Sequence, residues 1–407
     1  MELNQEALEL HRTHQGKISI VGRAPLANKH DLSLVYSPGV AAPCLEIAKD
    51  PEQVWTYTGK GRTVAIVTDG SAVLGLGDIG PEAALPVMEG KAALFKAFGG
   101  VDAFPICLQT QEVEEFVQTV KNIATSFGGI NLEDIAAPRC FEIEQRLQAE
   151  LNIPVFHDDQ HGTAIVVCAG LFNALQVVDK KLDQVNIVVN GAGSAGVAIV
   201  KLLLAAGARE IKVLDRKGIL SPNQPQEDAS KQELAQLTNP QGLEGDLRRA
   251  VQDADVFIGV SVGNVLTPDL VRRMASNPII FALANPDPEI EPDAAYAAGA
   301  VVVATGRSDY PNQINNVLGF PGIFKGALRV GASRITQEMK LASAKAIAAL
   351  VGSELSAEYI IPEPFDPRVA AAVAYVVAKE AINLGLAQRP AQLDELRKEF
   401  GVEEEYV

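Results

Sequence analysis

The chain has 407 residues, of which 47% are hydrophobic and 21% charged, and a formal net charge of −16. This composition is ordinary for a globular protein, and the length suggests two or three domains. The acidic balance argues against a nucleic-acid or acidic-membrane partner, because no basic face offsets it.

The cysteines, the first residues and the apolar runs indicate where the protein resides. Cys44, Cys107, Cys140 and Cys168 show neither C-x-x-C nor disulfide-like spacing, which is typical of reduced thiols in the cytoplasm. The first residues lack a signal or transit pattern. No uninterrupted apolar run reaches the roughly 18 residues that a membrane span requires. We therefore expect a cytoplasmic protein that interacts with no membrane.

The first part of the chain is predicted to contain one clear helix, over residues 2–15, followed by a polar connection as far as Asp31. In the next segment, Ser37-Pro38-Gly39 interrupts the chain directly after Tyr36. Judged by residue type alone, Tyr36 fits a packed aromatic side chain better than a catalytic one.

Strands and helices alternate from Thr63 onward, a pattern typical of an open, mostly parallel sheet. A strand ending at Gly70 leads into a glycine-rich loop, and the helix predicted over residues 81–98 carries Lys91 among apolar neighbours. A partly buried lysine loses its proton more easily, as a general base must. The alternative is a lysine that reaches from the edge of the helix into solvent. A strand at residues 101–108 and an amphipathic helix at 111–126 follow.

Acidic residues gather where the next two predicted strands end. Glu133 and Asp134 end one strand, and Asp158 and Asp159 follow the other, at residues 153–156. Open α/β sheets bind ligands at the carboxyl ends of their strands. Carboxylates without cysteine or histidine favour Mg²⁺ or Mn²⁺ over zinc. Alternatively, these acids cap the helices that follow, at residues 138–151 and 162–178, or lie in solvated turns.

Residues 185–215 have the pattern of a dinucleotide-binding unit, with a strand, a glycine-rich turn, a helix and a second strand. The glycines of the turn allow a tight bend and a close approach to a pyrophosphate, and the helix N-terminus supplies N–H groups and a positive dipole. Asp215 ends the second strand, where it can accept a hydrogen bond from a ribose 2′-hydroxyl. The turn is a G-x-G-x-x-G made of Gly191, Ala192, Gly193, Ser194, Ala195 and Gly196.

The choice between NAD and NADP depends on the residues around Asp215. Asp215 itself favours NAD, because a 2′-phosphate would meet its negative charge. Arg216 and Lys217 follow at once and could bind that phosphate while Asp215 moves aside.

The remaining elements complete the predicted architecture. A polar surface excursion is followed by three strands that begin near Ala254, Pro278 and Gly299, then by two helices and a charged tail. The two helices are predicted at residues 323–350 and 369–386. The fold class is therefore α/β, with an N-terminal α/β domain over residues 1–160, a Rossmann-type domain with a parallel sheet over residues 161–390 and a C-terminal tail over residues 391–407.

Together the motifs resemble the malic enzymes, and the resemblance covers nearly the whole chain. The matching blocks, in the order of that family, are YSPGVA (36–41), TDGSAVLGLGDIGP (68–81), LPVMEGKAALFKAFGGVDA (85–103), NLEDI (131–135), FHDDQHGTA (156–164), NGAGSAG (190–196), ANPDPE (284–289) and NNVLGFPG (315–322). The length matches short bacterial-type members, without the additional acyltransferase-like domain that some members carry.

The resemblance implies roles for individual residues. It makes Tyr36 the proton donor and Lys91 the general base, with Asp158 holding Lys91 in place. It makes Glu133, Asp134 and Asp159 the ligands of Mg²⁺ or Mn²⁺. The side-chain amides of Asn285, Asn315 and Asn316 would contact the substrate or the nicotinamide end of the cofactor.

The resemblance also implies an activity and an assembly. The expected reaction is oxidative decarboxylation of L-malate to pyruvate and CO₂ with reduction of NADP or NAD, with NADP favoured by the D-R-K-G stretch at residues 215–218. The expected assembly is a homodimer or a higher homo-oligomer. Alternatives are a malolactic enzyme that releases lactate with bound NAD, and a non-catalytic dinucleotide-binding protein.

One position departs from the family pattern. Larger eukaryotic-type members carry an acid and an arginine after the TDG triplet, and that arginine clamps a malate carboxylate, whereas this chain has Ser71 and Ala72. The carboxylate would then be neutralised by backbone N–H groups of the loop 71–77, by the metal or by Asn316.

Overall fold

The structure, a computed structural model, describes residues 2–226 and 228–403. Its helices are α1 (Glu2–His14), α2 (Lys29–Val35), α3 (Ala41–Lys49), α4 (Val54–Tyr57), α5 (Pro81–Leu94), α6 (Val113–Ile123), α7 (Arg139–Glu150), α8 (Asp158–Val177), α9 (Ser194–Ala205), α10 (Ala229–Thr238), α11 (Leu247–Ala250), α12 (Pro268–Val271), α13 (Pro292–Ala297), α14 (Phe320–Val330), α15 (Gln337–Ala349), α16 (Pro367–Asn383) and α17 (Leu393–Phe400). Its strands are β1 (Thr63–Thr68), β2 (Asp102–Cys107), β3 (Gly129–Leu132), β4 (Val155–His157), β5 (Asn186–Asn190), β6 (Glu210–Asp215), β7 (Gly218–Ile219), β8 (Val256–Gly259), β9 (Ile279–Ala282) and β10 (Val302–Thr305).

The first sheet has four parallel strands in the order β2-β1-β3-β4. Every residue of β1 is buried, as expected for a parallel strand covered on both faces. Val64 and Ile66 belong to the core cluster that contains Phe95, which follows α5, while Val67 shares a second cluster with Phe116 of α6. The apolar run that predicted this strand therefore supplies both faces of the sheet.

The second sheet has six strands in the order β10-β9-β8-β5-β6-β7. All its pairs are parallel except β6 with β7, which is antiparallel. Strand order reverses between β1 and β3 in the first sheet and between β5 and β8 in the second. Parallel sheets bind ligands at the carboxyl ends of strands beside such reversals. The predicted α/β class with a Rossmann-type sheet is confirmed.

Helix α8 joins the two sheets. Most of its residues are buried, and it packs against α9 and α15. Apolar residues of β1, α8 and β5 belong to one continuous core cluster. The proposed division at residue 160 lies inside this helix and remains a prediction.

Three predicted elements differ from the structure. The single helix expected over residues 323–350 is two helices, because Gly331 adopts a left-handed conformation (φ 59°) that ends α14 and Thr336 caps α15. The polar excursion contains the short strand β7 and helix α10. The charged tail forms α17, whose Leu396 is fully buried; residues 404–407 lie outside the described residues.

The N-terminal helix is confirmed, but the segment around it packs little against the rest of the chain. Helices α2, α3 and α4 contain no buried residue. Backbone and side-chain nitrogens of Lys17 bond to Glu89 and to the carbonyl of Pro86, which fastens the segment to α5. Its apolar side chains remain exposed, among them Leu3, Leu8, Leu10, Ile20, Val21, Leu26, Leu34 and Leu45.

The structure also bears on the predictions about the cysteines and about membrane spans. All four cysteines are free in the part of the chain that the structure describes, with Cys140 and Cys168 buried and Cys44 exposed. Across residues 2–226 and 228–403, none of the helices combines the length and apolar character needed to cross a membrane.

Candidate active site

Acidic side chains converge beside the reversal of strand order between β1 and β3. Glu133 and Asp134 follow β3, and Asp159 lies in the first turn of α8, directly after β4. One carboxylate oxygen of each residue lies within 4.8 Å of those of the other two. The backbone N–H of Asp134 donates to Asp159 Oδ2 at 2.8 Å, which holds the end of β3 against the start of α8.

The sequence reading placed the start of this helix four residues too late. Asp158 and Asp159 were expected in the turn after β4, but α8 begins at Asp158. Carboxylates in a first turn are stabilised by the positive end of the helix dipole.

Burial and mutual repulsion make the three acids difficult to ionise together. Burial raises the pKa of Asp134 to about 8, and the charges of Asp159 and Glu133 add to it. Burial likewise raises the pKa of Glu133 to about 7 and that of Asp159 to about 6. In the described residues Asp134 Oδ2 is buried without a hydrogen-bond partner. A compact set of oxygen ligands with excess negative charge fits a hard divalent cation.

Lys91 lies against this acid cluster. Its Nζ is 2.5 Å from Asp158 Oδ2 and 2.9 Å from Glu133 Oε1, and it lies 4.2 Å from the ring centre of Phe320. Burial acts to lower the pKa of Lys91, but attraction by Asp158 and Glu133 outweighs it and raises the pKa above its ordinary value. The expectation that burial eases loss of the proton is therefore wrong while these charges are uncompensated.

Asp158 connects Lys91 with the amide-rich loop before α14. The same oxygen, Asp158 Oδ2, accepts from Lys91 and from Asn316 Nδ2 at 2.6 Å. Asp158 is fully buried, and burial raises its pKa to about 7. Asn315 instead uses its side-chain oxygen to accept from the N–H of Val317, which caps the turn that carries Asn316.

The loop after β1 has few free backbone donors for a substrate carboxylate. The N–H groups of Ala72, Val73 and Leu76 donate to backbone carbonyls. Those of Ser71 and Leu74 donate to carboxylates, at 3.0 Å and 3.4 Å. Most N–H groups of this loop are therefore engaged within the fold, and neutralisation of the substrate carboxylate by the loop, by the metal or by Asn316 stays a prediction.

A cation that the sequence reading missed lies at this loop. Arg139, at the start of α7, donates to Asp69 Oδ2 at 2.8 Å and to Ser71 Oγ at 3.0 Å. Its side chain is 24% exposed, whereas that of Asp69 is fully buried. Arg139 thus fixes the turn at which the family's arginine is absent, but nothing in its sequence neighbourhood signals this role.

The glycine-rich turn has the geometry expected of a dinucleotide site. Gly191 has a φ of 127°, and a Cβ there would lie 2.6 Å from the carbonyl oxygen of Val260. A Cβ at Gly196 would lie 1.9 Å from the oxygen of Gly191, so both positions exclude a side chain. Gly193 precedes α9 and has open space around it. Ala192 is buried, while Ser194 and Ala195 are half-buried in the first turn of α9.

Asp215 is engaged by its own domain. Its Oδ1 accepts from the N–H of Lys217 at 2.8 Å, and its Oδ2 lies 2.9 Å from Lys231 Nζ. The side chains of Asp215 and Lys231 are only 12% and 14% exposed. Arg216 is exposed beside them. Lys231 lies on α10, within the segment predicted to be a polar excursion, so the sequence pattern did not reveal this pair.

Asn285 lies at the carboxyl end of the second sheet, close to the loop after β1. A Cβ on Gly75 would lie 2.8 Å from the Asn285 carbonyl oxygen, so the two domains meet here. Glu289, which the sequence reading overlooked within the ANPDPE block, is buried and accepts from the N–H groups of Ser261 and Ala284, each at 3.0 Å. Glu289 thereby fixes the segments that follow β8 and β9.

Among the described residues, no hydrogen bond joins Tyr36 to this cluster. Tyr36 follows α2 with its side chain 70% exposed, and across the described residues its hydroxyl has no hydrogen-bond partner. The packed aromatic expected from residue type alone is wrong. Tyr36 lies at the surface because the helices around it, α2, α3 and α4, bury none of their residues.

The sequence as a whole matches known protein families. Residues 15–148 match the family model of the malic enzyme N-terminal domain, and residues 160–382 match that of the malic enzyme NAD binding domain. The chain belongs to the malic enzyme family. The resemblance inferred from the sequence motifs is therefore confirmed.

Individual malic enzymes are similar over most of their length. A bifunctional malic/malolactic enzyme of Bacillus subtilis strain 168 is 58% identical over 390 residues, which cover 95% of each chain. An NAD-dependent malic enzyme of Geobacillus stearothermophilus is 57% identical over 375 residues, which cover 92% of this chain and 78% of that protein. The crystal structure of malic enzyme from Pyrococcus horikoshii superposes with a TM-score of 0.94 at 49% identity, and covers 98% of this chain and 95% of that chain. Both NAD- and NADP-dependent malic enzymes are among the relatives.

Proposed function

We propose that this malic enzyme converts L-malate to pyruvate and CO₂ while it reduces a nicotinamide dinucleotide, and that it requires Mg²⁺ or Mn²⁺. One observation carries the proposal. A buried lysine lies within 2.9 Å of two acids, beside three carboxylates that converge. Oxidation of a secondary alcohol needs a base and a hydride acceptor, and a divalent cation stabilises the enolate that loss of CO₂ leaves. The glycine-rich turn of the second domain supplies a site for the acceptor.

The metal ligands in this proposal are Glu133, Asp134 and Asp159. Their raised pKa values and the buried oxygen of Asp134 without a hydrogen-bond partner in the described residues support that assignment. When bound, a divalent cation polarises the substrate oxygens and stabilises the negative charge that develops during decarboxylation. The same charge balance affects Lys91, because less uncompensated acid around Nζ lowers its pKa.

The other residues position the substrate and move its protons. Lys91 Nζ accepts the proton of the C2 hydroxyl as the hydride leaves C2, and Asp158 holds Nζ in place. Asn316 is fixed by Asp158 and presents its amide to the substrate, while Asn285 and Asn315 orient the substrate and the nicotinamide. Tyr36 donates the proton of its phenolic hydroxyl to C3 of enolpyruvate.

We assign the exposed N-terminal segment to a homodimer interface. A row of exposed leucine, isoleucine and valine side chains on one segment is typical of a surface covered by a partner. Tyr36 belongs to this surface. Its side chain is exposed, whereas the acids of its own chain are buried. Pairing of two chains through this segment would deliver Tyr36 to the partner subunit's acid cluster.

We favour NADP over NAD as the cofactor. The negative charge of Asp215, which would repel a 2′-phosphate, is already paired with Lys231. Arg216 is exposed next to this pair and can contact the phosphate. The domain divisions at residues 160 and 390 remain part of this proposal.

The test is a direct assay of the purified chain. Malate is supplied with Mn²⁺ and each dinucleotide in turn, absorbance of the reduced nicotinamide is followed, and the carbon product is identified. Net dinucleotide reduction with pyruvate as product supports the proposal. Lactate without net reduction supports the malolactic alternative, which the bifunctional relative makes the second candidate. Dinucleotide binding without metal-dependent turnover would indicate a non-catalytic binding protein.

A further inference from the structure

A cavity outside the active site lies between the two domains. It has a volume of about 710 Å³ and is bounded by α7, α8, α9, α10 and α15. This volume is in the range of small-molecule sites, which often form at domain interfaces. The described residues that line it include neither Lys91 nor any of the four acids assigned to the active site. The cavity is therefore separate from the acid cluster of the proposed active site.

Lys340 and Glu142 are charged residues of the cavity wall that have no ion-pair partner among the described residues. The side chain of Lys340 is 7% exposed, and across residues 2–226 and 228–403 its ammonium has neither a hydrogen bond nor an ion pair. Burial lowers the pKa of Lys340 to about 8, which the more distant charge of Glu144 only partly opposes. The ammonium is therefore a positive charge at the cavity surface that an anion in the cavity can pair with.

The helices around the cavity also favour an anion. The cavity is lined by first-turn residues of four helices, namely Glu142 of α7, Gln160 of α8, Ala229 of α10 and Gln337 of α15. The N-terminal turns of these helices, where the dipole favours negative charge, therefore border the cavity.

Most acids in the wall already have partners and do not satisfy Lys340. Glu144 accepts hydrogen bonds from the N–H of His157 and from the side chains of Gln160 and His161. Glu233 is paired with Lys201 at 2.7 Å. Asp228 caps α10, and its Oδ1 accepts from Ser230 Oγ and from the N–H of Lys231.

Part of the wall is apolar. Phe141, Ala164, Val197 and Leu202 all line the cavity. We propose that the cavity binds a small organic carboxylate, with its charged group on Lys340 and its apolar part against Phe141 and Val197. The proposed site shares no residue with the acid cluster.

The direct test measures binding of para-fluorobenzoate to the full chain by fluorine NMR. Lys340→Met removes the ammonium and keeps the length of the side chain, while Lys345→Met changes an exposed lysine on the same helix. We expect wild type and Lys345→Met to bind equally, and Lys340→Met to bind at least about tenfold more weakly, as loss of a hydrogen bond to a charged group implies. The neutral para-fluorobenzamide should bind wild type and Lys345→Met at least about tenfold more weakly than the benzoate does.

Location is tested by competition and by a second variant. Saturating malate, Mn²⁺ and dinucleotide should leave the probe bound. Ala229 is an exposed residue of the wall, so Ala229→Trp should fill the cavity and abolish binding without altering Lys340. This variant tests the location of the site even if Lys340→Met does not fold. Equal binding to wild type and Lys340→Met, equal binding of the amide, or displacement by the dinucleotide would overturn the proposal.

Discussion

Replacement of Asp134 by asparagine should stabilise the metal-free protein and remove its response to metal. Asp134 is 3% exposed, and its carboxylate lies with those of Glu133 and Asp159. Asn removes one negative charge and keeps the shape. The backbone at this position has a φ of 53°, a conformation that asparagine tolerates better than most residues. The change therefore tests charge with little added strain.

The size of the effect follows from the pKa of Asp134. Burial, followed by the repulsion of Asp159 and Glu133, raises the pKa from 3.8 to about 8. At about 1.4 kcal/mol per pKa unit, this shift has an upper limit of about 6 kcal/mol. Protonation of Glu133 relieves part of the repulsion, so we expect about 2–4 kcal/mol. A raised carboxyl pKa means that stability is present at low pH and is lost as pH rises from 4 toward 8, so the advantage of Asp134→Asn should grow over that interval.

The assay is urea denaturation of wild type and variant, with a chelator and with Mn²⁺, at several pH values. Mn²⁺ should stabilise wild type and have little effect on Asp134→Asn, since ligand binding to the native state adds stability. Asp179→Asn is the matched control, because Asp179 has the same φ of 53° but is exposed. A metal-free variant less stable than wild type, or equal stabilisation of both proteins by Mn²⁺, would refute the assignment of this acid as a metal ligand.

Three further changes test the other assignments. Lys91→Ala should abolish malate oxidation and decarboxylation but preserve dinucleotide binding, measured by NADPH fluorescence, with exposed Lys96→Ala as the active control. Mixed dimers of a Lys91→Ala chain and a Tyr36→Phe chain should recover pyruvate formation, because one of their two sites combines an intact Lys91 with an intact Tyr36 from the other chain. No recovery would place Tyr36 in its own subunit's site. Arg216→Ser should raise the KM for NADP more than for NAD in steady-state kinetics, and an unchanged preference would exclude this arginine.

The sequence predicted the alternation of strands and helices because apolar runs and glycine turns are local signals. The unit from Val185 to Asp215 is the clearest case, since its spacing is dictated by backbone contacts such as that between Gly191 and Gly196. The break at Gly331 was missed because the apolar pattern continues on both sides of it. A left-handed residue changes the direction of the chain without changing the hydrophobic period.

The site was predictable where motifs name residue types and was missed where long-range contacts decide the chemistry. Glu133, Asp134 and Asp159 lie together because strands β3 and β4 are neighbours, as their order implied. The protonation of Lys91 could not be predicted, because it depends on distances to Asp158 and Glu133 that only the folded chain fixes. The same limit applies to Lys231, whose partner Asp215 is distant in sequence.

Helix α8 also limits how such proteins can be recombined. Its first turn carries Asp158 and Asp159, while its body supplies apolar side chains to the core shared by both sheets. A chimera joined at the start of this helix would combine the acids of one parent with the first sheet of another. A junction at its end would separate the second sheet from its own packing partner. Exchange of the nucleotide-binding half between relatives therefore requires exchange of α8 together with every surface that it contacts.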